Sequence, residues 1–438
     1  MSERRARALL SMYRFAGAAA YPLIGPYVAW RASRGKEDRA RSRERYGFAG
    51  RPRPEGPLIW VHAASIGEMI AVVSLVESIL DHGVNIVLTT GTVTSARIAE
   101  ERLGGRVIHQ YVPLDLKPAV SRFLDHWQPD LAVIAESEIW PMTILELGAR
   151  SVPQVLVNGR LSDRSFASWK KRPSLAEALF ENLAHVVAQS DVDGERFRAL
   201  GARPVTVSGN LKVDTPPPPV DERALAALQR QIRDRPSWAA VSTHDGEEMI
   251  AAEVHLTLRH RHPGLLTIIV PRHPDRAESL LTAFEGMELK VAQRSKGEKI
   301  TADTDILLGD TVGEMGLYLR LTEIAFVGRS LTSEGGQNPL EPAMLDTAVL
   351  AGRNVQNFRE SYQKLLDSGG AKLVRDRNML AGAVNFLLSN EAARHDMMAA
   401  GAATVEEMRG ALARTLKALE PFIQPLIVKA RLKGANGK

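Results

Sequence analysis

The residues best suited to chemistry in this chain are carboxylates that leave apolar runs at turns of small residues. Leu58–His62 reads as a buried strand and Ala63 to Gly67 as a tight turn that includes Ser65. Glu68 is then the first-turn acid of a helix pattern continuing from Met69 to Leu80. An α/β protein presents a charged group in this way at the carboxyl edge of its sheet, where ligands bind. An acid in a helix's first turn is also an ordinary dipole partner, worth about 0.3–1 kcal/mol. The pattern recurs at Glu136 and Glu138, two residues apart after the run Leu131–Ala135. Both read equally as solvated loop charges, Glu136 less so because it touches the strand's end.

Other loops carry groups suited to anions. Asn158-Gly-Arg160-Leu-Ser162 leaves a strand and directs Arg160 either to an anionic ligand or to solvent. Ser242-Thr243-His244-Asp-Gly-Glu247 joins a strand to a helix start, where hydroxyls and free N–H groups form an anion site or an ordinary cap. Arg272, in Pro271-Arg272-His273-Pro274, places a fixed positive charge after another strand or belongs to a surface turn. In Gly335-Gly336-Gln337-Asn338-Pro339-Leu340-Glu341, Asn338 is placed to cap a helix whose first residue is Pro339. Glu341 then falls at the capping-box position. Capping does not need Gly335 and Gly336. Paired glycines let a ligand approach backbone N–H groups where phosphate is favoured.

Several chemistries are excluded. There is no cysteine among the 438 residues, hence no disulfide, thiolate nucleophile or cysteine-ligated metal. No G-x-G-x-x-G follows the first strand. P-loop, H-E-x-x-H and G-x-S-x-G motifs are missing as well. The net charge of +5 is modest for this length, and the local basic excess has few interleaved aromatics, so nucleic-acid binding lacks support.

The elements that must position these loops alternate as strand and helix. Strands are expected at 58–62, 85–90, 107–111, 131–135, 154–158, 186–189 and 205–208, with helix patterns between them such as 94–102, 116–127 and 175–182. Such alternation predicts a parallel sheet with helices on both faces. Asp214-Thr-Pro-Pro-Pro-Pro-Val220 then interrupts the pattern as a stiff extended spacer. Strands restart at 239–243, 266–271, 289–292, 305–308, 324–328 and 348–352. The run 393–429 reads as mostly helical, broken by Pro421 and Pro425. The expected fold class is α/β, with two Rossmann-like doubly wound domains facing a cleft. They are an N-terminal domain at 36–213 and a C-terminal one at 221–410, joined by the linker 214–220 and followed by a helix and tail at 411–438. Two such halves leave a deep cleft between facing carboxyl edges, a usual place for a ligand.

Residues 1–35 read separately. Tyr13–Trp30 is 18 residues with one charge, Arg14, and it is interrupted by Pro22, Pro26, Gly17 and Gly25. That length is at the lower limit for a spanning helix. Arg31–Arg53 adds nine basic against three acidic residues, attractive to anionic headgroups by about 1 kcal/mol each. The segment is expected to be a membrane anchor or interfacial helix with the body on the cytoplasmic side. The alternative is a hydrophobic helix packed on the body.

Taken together, these stretches resemble the Kdo transferases, which add 3-deoxy-D-manno-oct-2-ulosonic acid to the lipid A precursor of Gram-negative bacteria. The resemblance rests on Val61-His-Ala-Ala-Ser-Ile-Gly-Glu68, Glu136-Ser-Glu-Ile-Trp-Pro141, Asn158-Gly-Arg-Leu-Ser162, Gly209-Asn-Leu-Lys212, Val270-Pro-Arg-His273, Asp310-Thr-Val-Gly-Glu-Met315 and Gly335-Gly-Gln-Asn-Pro-Leu-Glu-Pro342, in that order. It implies a GT-B glycosyltransferase whose N-terminal half binds the acceptor and whose C-terminal half binds CMP-Kdo. Glu68 matches the catalytic base and Glu136 a second essential acid. Ser242, Thr243, His244, Arg272, Gly335, Gly336, Asn338 and Glu341 match donor motifs, while Ser65, Gly67, Arg160 and Lys212 fall on the remaining motifs. Three places depart from the family pattern. Gln337 stands where many members have histidine, Arg329 where a second glycine often follows Gly328, and Gly352–Phe358 replaces a G-P-x-x-x-N-F segment. The expected partners are CMP-Kdo, a phosphorylated lipid A precursor and the inner membrane. No cofactor or metal is expected. A different GT-B transferase, a sugar-nucleotide epimerase and a non-enzymatic anion-binding module at a membrane surface are the alternatives. A glutamate at a helix start is favoured in its ionised form, which predicts Glu68 as a charged base weaker than a buried carboxylate.

Overall fold

Apolar runs bounded by turns and separated by amphipathic helices bury both strand faces when they pair in parallel and the helices cover each side. In the computed structural model, which describes residues 24–34 and 37–436 together with Tyr13 and Gly17, this happens twice. The first sheet has strands β1 (Leu58–Ala63), β2 (Asn85–Thr90), β3 (Ile108–Tyr111), β4 (Leu131–Ala135), β5 (Gln154–Gly159), β6 (His185–Ala188) and β7 (Val205–Val207). Their spatial order is β3-β2-β1-β4-β5-β6-β7. The second sheet has β8 (Ser237–Thr243), β9 (Leu266–Pro271), β10 (Val291–Gln293), β11 (Ile306–Leu308), β12 (Ile324–Val327), β13 (Ala348–Ala351) and β14 (Ala371–Leu373), ordered β10-β11-β9-β8-β12-β13-β14. Every pairing is parallel; Trp60, for instance, lies opposite Val87 on one side and Ala132 on the other. All thirteen expected strands are present, with ends displaced by at most two residues. Strand β14 was not expected. Its three residues Ala-Lys-Leu form an edge and present no buried run.

The strand order reverses between β1 and β4 in the first sheet and between β8 and β12 in the second. In open α/β sheets the crevice at such a reversal is where ligands bind.

The chain divides into two compact units. One runs up to Thr215 and resumes from Arg409, while the other is Pro216–Met408. The last helix, Ala411–Asn436, therefore belongs to the first unit. Leu419, Ile423, Leu426 and Ile427 pack into the cluster of Val61, Leu75 and Val133 on one face of the first sheet. Trp60, Phe123, Trp127, Phe180 and Phe197 fill the other face. The helix start is fixed by Asp214, whose carboxylate accepts the N–H groups of Gly410 (2.8 Å) and Leu412 (2.5 Å). Pro421 and Pro425 were expected to break this helix, and they do not. Both prolines are exposed and lie four residues apart, hence on the solvent face, where the carbonyls they release reach water. Burial of the four apolar side chains, about 1.5–3 kcal/mol each, outweighs the local cost.

Half of Tyr13–Trp30 lies outside the described residues. Its described end belongs to a ten-residue helix, Ile24–Ser33, with Trp30 half exposed and the guanidinium of Arg34 stacked 4.2 Å from its ring. Among the described residues no helix is long and apolar enough to cross a membrane. The basic belt is smaller than its composition predicts, because several of its arginines are committed to the fold. Arg45 is buried, pairs with Glu37 at 2.9 Å and donates to the carbonyls of Gly91 (2.6 Å) and Val112 (3.1 Å). Arg41 pairs with Glu44 and donates to the carbonyl of His109 on edge strand β3. Arg53 holds the carbonyl of Trp127.

Candidate active site

The turn after β1 is a capping box. Ser65 caps the helix Ile66–Leu80; its hydroxyl accepts the Glu68 N–H at 3.3 Å and donates to Glu68 Oε1 at 2.8 Å. The Ala64 N–H donates to Oε2 at 2.8 Å, so the carboxylate folds back over its own turn and is buried. Across the strand-order reversal, β4 ends in Glu136, held in the left-handed region at φ 54°. Lys212 Nζ reaches its Oε1 at 2.5 Å and Asn158 Nδ2 reaches the same oxygen at 3.4 Å. Asn158, itself at φ 51°, accepts the Leu211 N–H at 3.0 Å, which ties the turn bearing Lys212 to the end of β5. The amine of Lys212 also lies 3.6 Å from where a Cβ on Gly67 would stand. Glu138 completes the group. Its Oε2 accepts the Trp140 indole N–H at 2.5 Å and lies 3.8 Å from His62 Nε2. His62 is buried in β1 with its Nδ1 against Thr89 Oγ1 at 2.9 Å. Asp115 accepts the N–H groups of Met142 (3.0 Å) and Thr143 (2.8 Å), fixing the helix that follows this loop.

Burial raises the pKa of Glu68, and the neighbouring carboxylates of Glu136 and Glu138 raise it further, against the lowering effect of Ser65 and the Ala64 N–H. This reverses the expectation drawn from the helix start alone. Desolvation and like charge outweigh the dipole, making Glu68 a stronger base than an exposed first-turn glutamate. For Glu138, burial pushes upward, but contact with His62 and the Trp140 N–H prevails and its pKa falls. Arg160 follows β5, and its N–H lies 3.4 Å from the Glu136 carbonyl. Its charge acts on Asp193, whose carboxylate also accepts the Leu161 N–H at 2.8 Å.

The second unit assembles its rim around a residue to which the sequence reading gave no role. Glu247 is buried at the start of helix Glu247–Leu258 and accepts four backbone N–H groups: His244 (2.9 Å), Arg329 (2.6 Å), Ser330 (2.9 Å) and Leu331 (2.9 Å). One carboxylate thus binds the loops after β8 and β12 together. Ser242 and Arg329 hold left-handed conformations at φ 52° and 56°. Thr243 is buried and its hydroxyl donates to Glu248 at 3.1 Å, which braces the loop. His244 Nε2 lies 3.2 Å from Gln337 Nε2, and its ring is 5.6 Å from that of His273. Arg272 extends from the end of β9, exposed.

The glycine turn differs from the phosphate cradle that was expected. The Gly335 N–H donates to Gln356 Oε1 (3.1 Å), Gly336 to the Arg329 carbonyl (2.8 Å) and Gln337 to the Gly328 carbonyl (3.2 Å). These donors are spent within the protein. The glycines are needed for shape: at Gly336, φ is 71° and a Cβ would stand 2.9 Å from the Asn354 carbonyl oxygen. Asn338 accepts the Leu340 N–H at 3.1 Å and donates to Glu341 at 3.3 Å, but it lies one residue before the cap it was expected to form. The helix is only Leu340–Ala343, however, with Pro339 at its cap position. Arg272 and Arg329 bring positive charge to this rim, acting on His244.

A family model described as 3-Deoxy-D-manno-octulosonic-acid transferase (kdotransferase) matches residues 40–215. The 3-deoxy-D-manno-octulosonic acid transferase of Haemophilus influenzae is 34% identical over 412 residues, covering 92% of this chain and 96% of its own length. The chain belongs to the Kdo transferase family. Two solved structures are similar in fold alone, each at 13% identity. A glycosyltransferase from Rickettsia africae has a TM-score of 0.59 and covers 84% of this chain and 99% of its own. A UDP-GlcNAc 2-epimerase from Neisseria meningitidis has a TM-score of 0.58 and covers 83% and 99%. The two doubly wound units are those of a GT-B glycosyltransferase, and family membership makes the chain an enzyme of glycosyl transfer in lipopolysaccharide synthesis.

The structure thus brings Ser65, Gly67, Glu68, Glu136 and Lys212 together on the first rim. On the second it brings together His244, Gln337 and the glycine turn. Besides Glu247, the sequence reading gave no role to His62 or Gln356. A histidine inside an apolar run carries no pattern of its own, and Gln356 acts on a glycine 21 residues away.

Proposed function

We propose that this protein transfers Kdo, with inversion, from CMP-Kdo to the phosphorylated lipid A precursor lipid IVA at the cytoplasmic face of the inner membrane. The observation that carries the proposal is Glu68, a buried carboxylate of raised pKa at the strand-order reversal of the first sheet, braced by its own capping turn. The acceptor hydroxyl passes its proton to Glu68 as its oxygen bonds the anomeric carbon of Kdo. The bond from that carbon to the CMP phosphate breaks, and its electron pair leaves with CMP. Glu136 and Lys212 hold the rim that presents Glu68. On the second rim, Arg272 supplies fixed positive charge for the departing phosphate, the type of preorganised electrostatic stabilisation that lowers such barriers. The proposed reaction needs no metal, so an excess of chelator should leave turnover unchanged. Half-exposed Trp30 and the exposed arginines Arg39, Arg43 and Arg51 support a surface that meets lipid. Incubation with CMP-Kdo and tetraacylated lipid A precursor should release CMP and add the mass of Kdo to the lipid. CMP release without a heavier lipid, or an altered sugar without CMP release, would refute the proposal.

A further inference from the structure

Two guanidinium groups on the second rim lack acidic partners. Arg272 stands exposed after β9, and among the described residues its side chain has no protein acceptor. Arg329 follows β12 at the strand-order reversal. Its Nε donates to the Glu334 carbonyl at 3.0 Å, leaving its two terminal nitrogens without a protein acceptor among the described residues. Both charges reach His244. After burial, Arg329 is the leading cause of its lowered pKa, and Arg272 and His273 add to it, with Glu247 opposing. Glu247 accepts four amide donors and, among the described residues, makes no hydrogen bond to either guanidinium. Arg329 also keeps its long side chain at φ 56°, a conformation that favours glycine, with Nε 3.5 Å from the Cβ position of Gly335.

A nucleoside monophosphate ester of a sugar acid carries two separate anions, a phosphodiester and a carboxylate. We propose that Arg329 is a specificity residue whose free guanidinium end grips the sugar-acid carboxylate, while Arg272 serves the phosphodiester. The inference rests on the CMP-Kdo reading. Arg329 is assigned the carboxylate because it sits at the reversal itself, beside the glycine turn, whereas Arg272 lies one strand further out. With Nε held, its two terminal nitrogens form a planar fork matched to a carboxylate. Gln337 keeps the neighbouring His244 oriented.

The test is calorimetric titration of the full chain with CMP-Kdo and, separately, with CMP, which lacks the carboxylate. Arg329→Gly relieves the backbone and keeps the N–H bonded to Glu247, so it should fold; Arg329→Lys keeps the charge without the fork. Arg329→Gly should weaken CMP-Kdo at least tenfold and CMP less than threefold, with Arg329→Lys between the wild type and Arg329→Gly for CMP-Kdo. Equal losses for both ligands would place Arg329 on the phosphate and overturn the assignment. Wild-type affinities in Arg329→Gly would overturn it while leaving the CMP-Kdo reading intact. Failure of the wild type itself to bind CMP-Kdo would remove that reading and this inference together.

Discussion

Replacing Lys212 by methionine tests how the first rim is held. The variant keeps most of the side-chain volume but removes the amine that lies 2.5 Å from Glu136. Breaking a buried ion pair by deleting one partner costs about 3–5 kcal/mol, because the survivor is left charged and undersolvated. Here the cost is smaller. The two side chains keep 17% and 11% of their exposure, and Asn158 still approaches Glu136 at 3.4 Å. About 2–3 kcal/mol remains on the same basis, which lowers the melting temperature of a unit this size by roughly 5–10 °C. Glu136→Gln alone should cost a similar amount. The double variant should recover much of the loss, giving a coupling of about 2 kcal/mol in the cycle. Thermal unfolding followed by circular dichroism measures all four proteins. If Lys212→Met melts with the wild type, or if the two losses simply add, the pair does not hold this rim.

The remaining outcomes follow from the same geometry. A base works only when deprotonated, and the pKa of Glu68 is raised, so kcat/KM should fall on the acid side at a higher pH than an ordinary glutamate gives. Removing one repelling charge with Glu138→Gln should move that limb to lower pH; a limb that stays in place would show that the carboxylates are not coupled. Glu247→Ala strips four backbone donors of their acceptor. It should destabilise the second unit by more than about 3 kcal/mol, and an unchanged denaturation midpoint would contradict its role as the tie between the two loops.

Much of this architecture was legible because it depends on local pattern. Leu131–Ala135 is an unbroken apolar run, Leu266–Pro271 is interrupted only by Thr267, and both form where they were expected. The positions of Glu68 and Glu136 at one sheet edge follow directly from those strands. What was not legible depends on distant partners. The last helix survives two prolines because its other face is buried against the first sheet, more than 200 residues earlier in the chain. The glycine turn looked like a phosphate cradle until its N–H groups met Gln356 and the carbonyls of Arg329 and Gly328. The basicity of Glu68 was underestimated for the same reason, since Glu136 and Glu138 approach it only after β4 pairs beside β1.

The most direct test of the chemistry is the turnover of Glu68→Gln with CMP-Kdo and tetraacylated lipid A precursor at saturating concentrations. Glutamine preserves the shape of the side chain, and losing one acceptor in the capping turn costs about 1 kcal/mol, so the protein should fold. General base catalysis by Glu68 predicts a fall in kcat of about 10²- to 10⁴-fold with donor affinity retained. A folded variant that forms product at near wild-type rate would show that another group removes the acceptor proton.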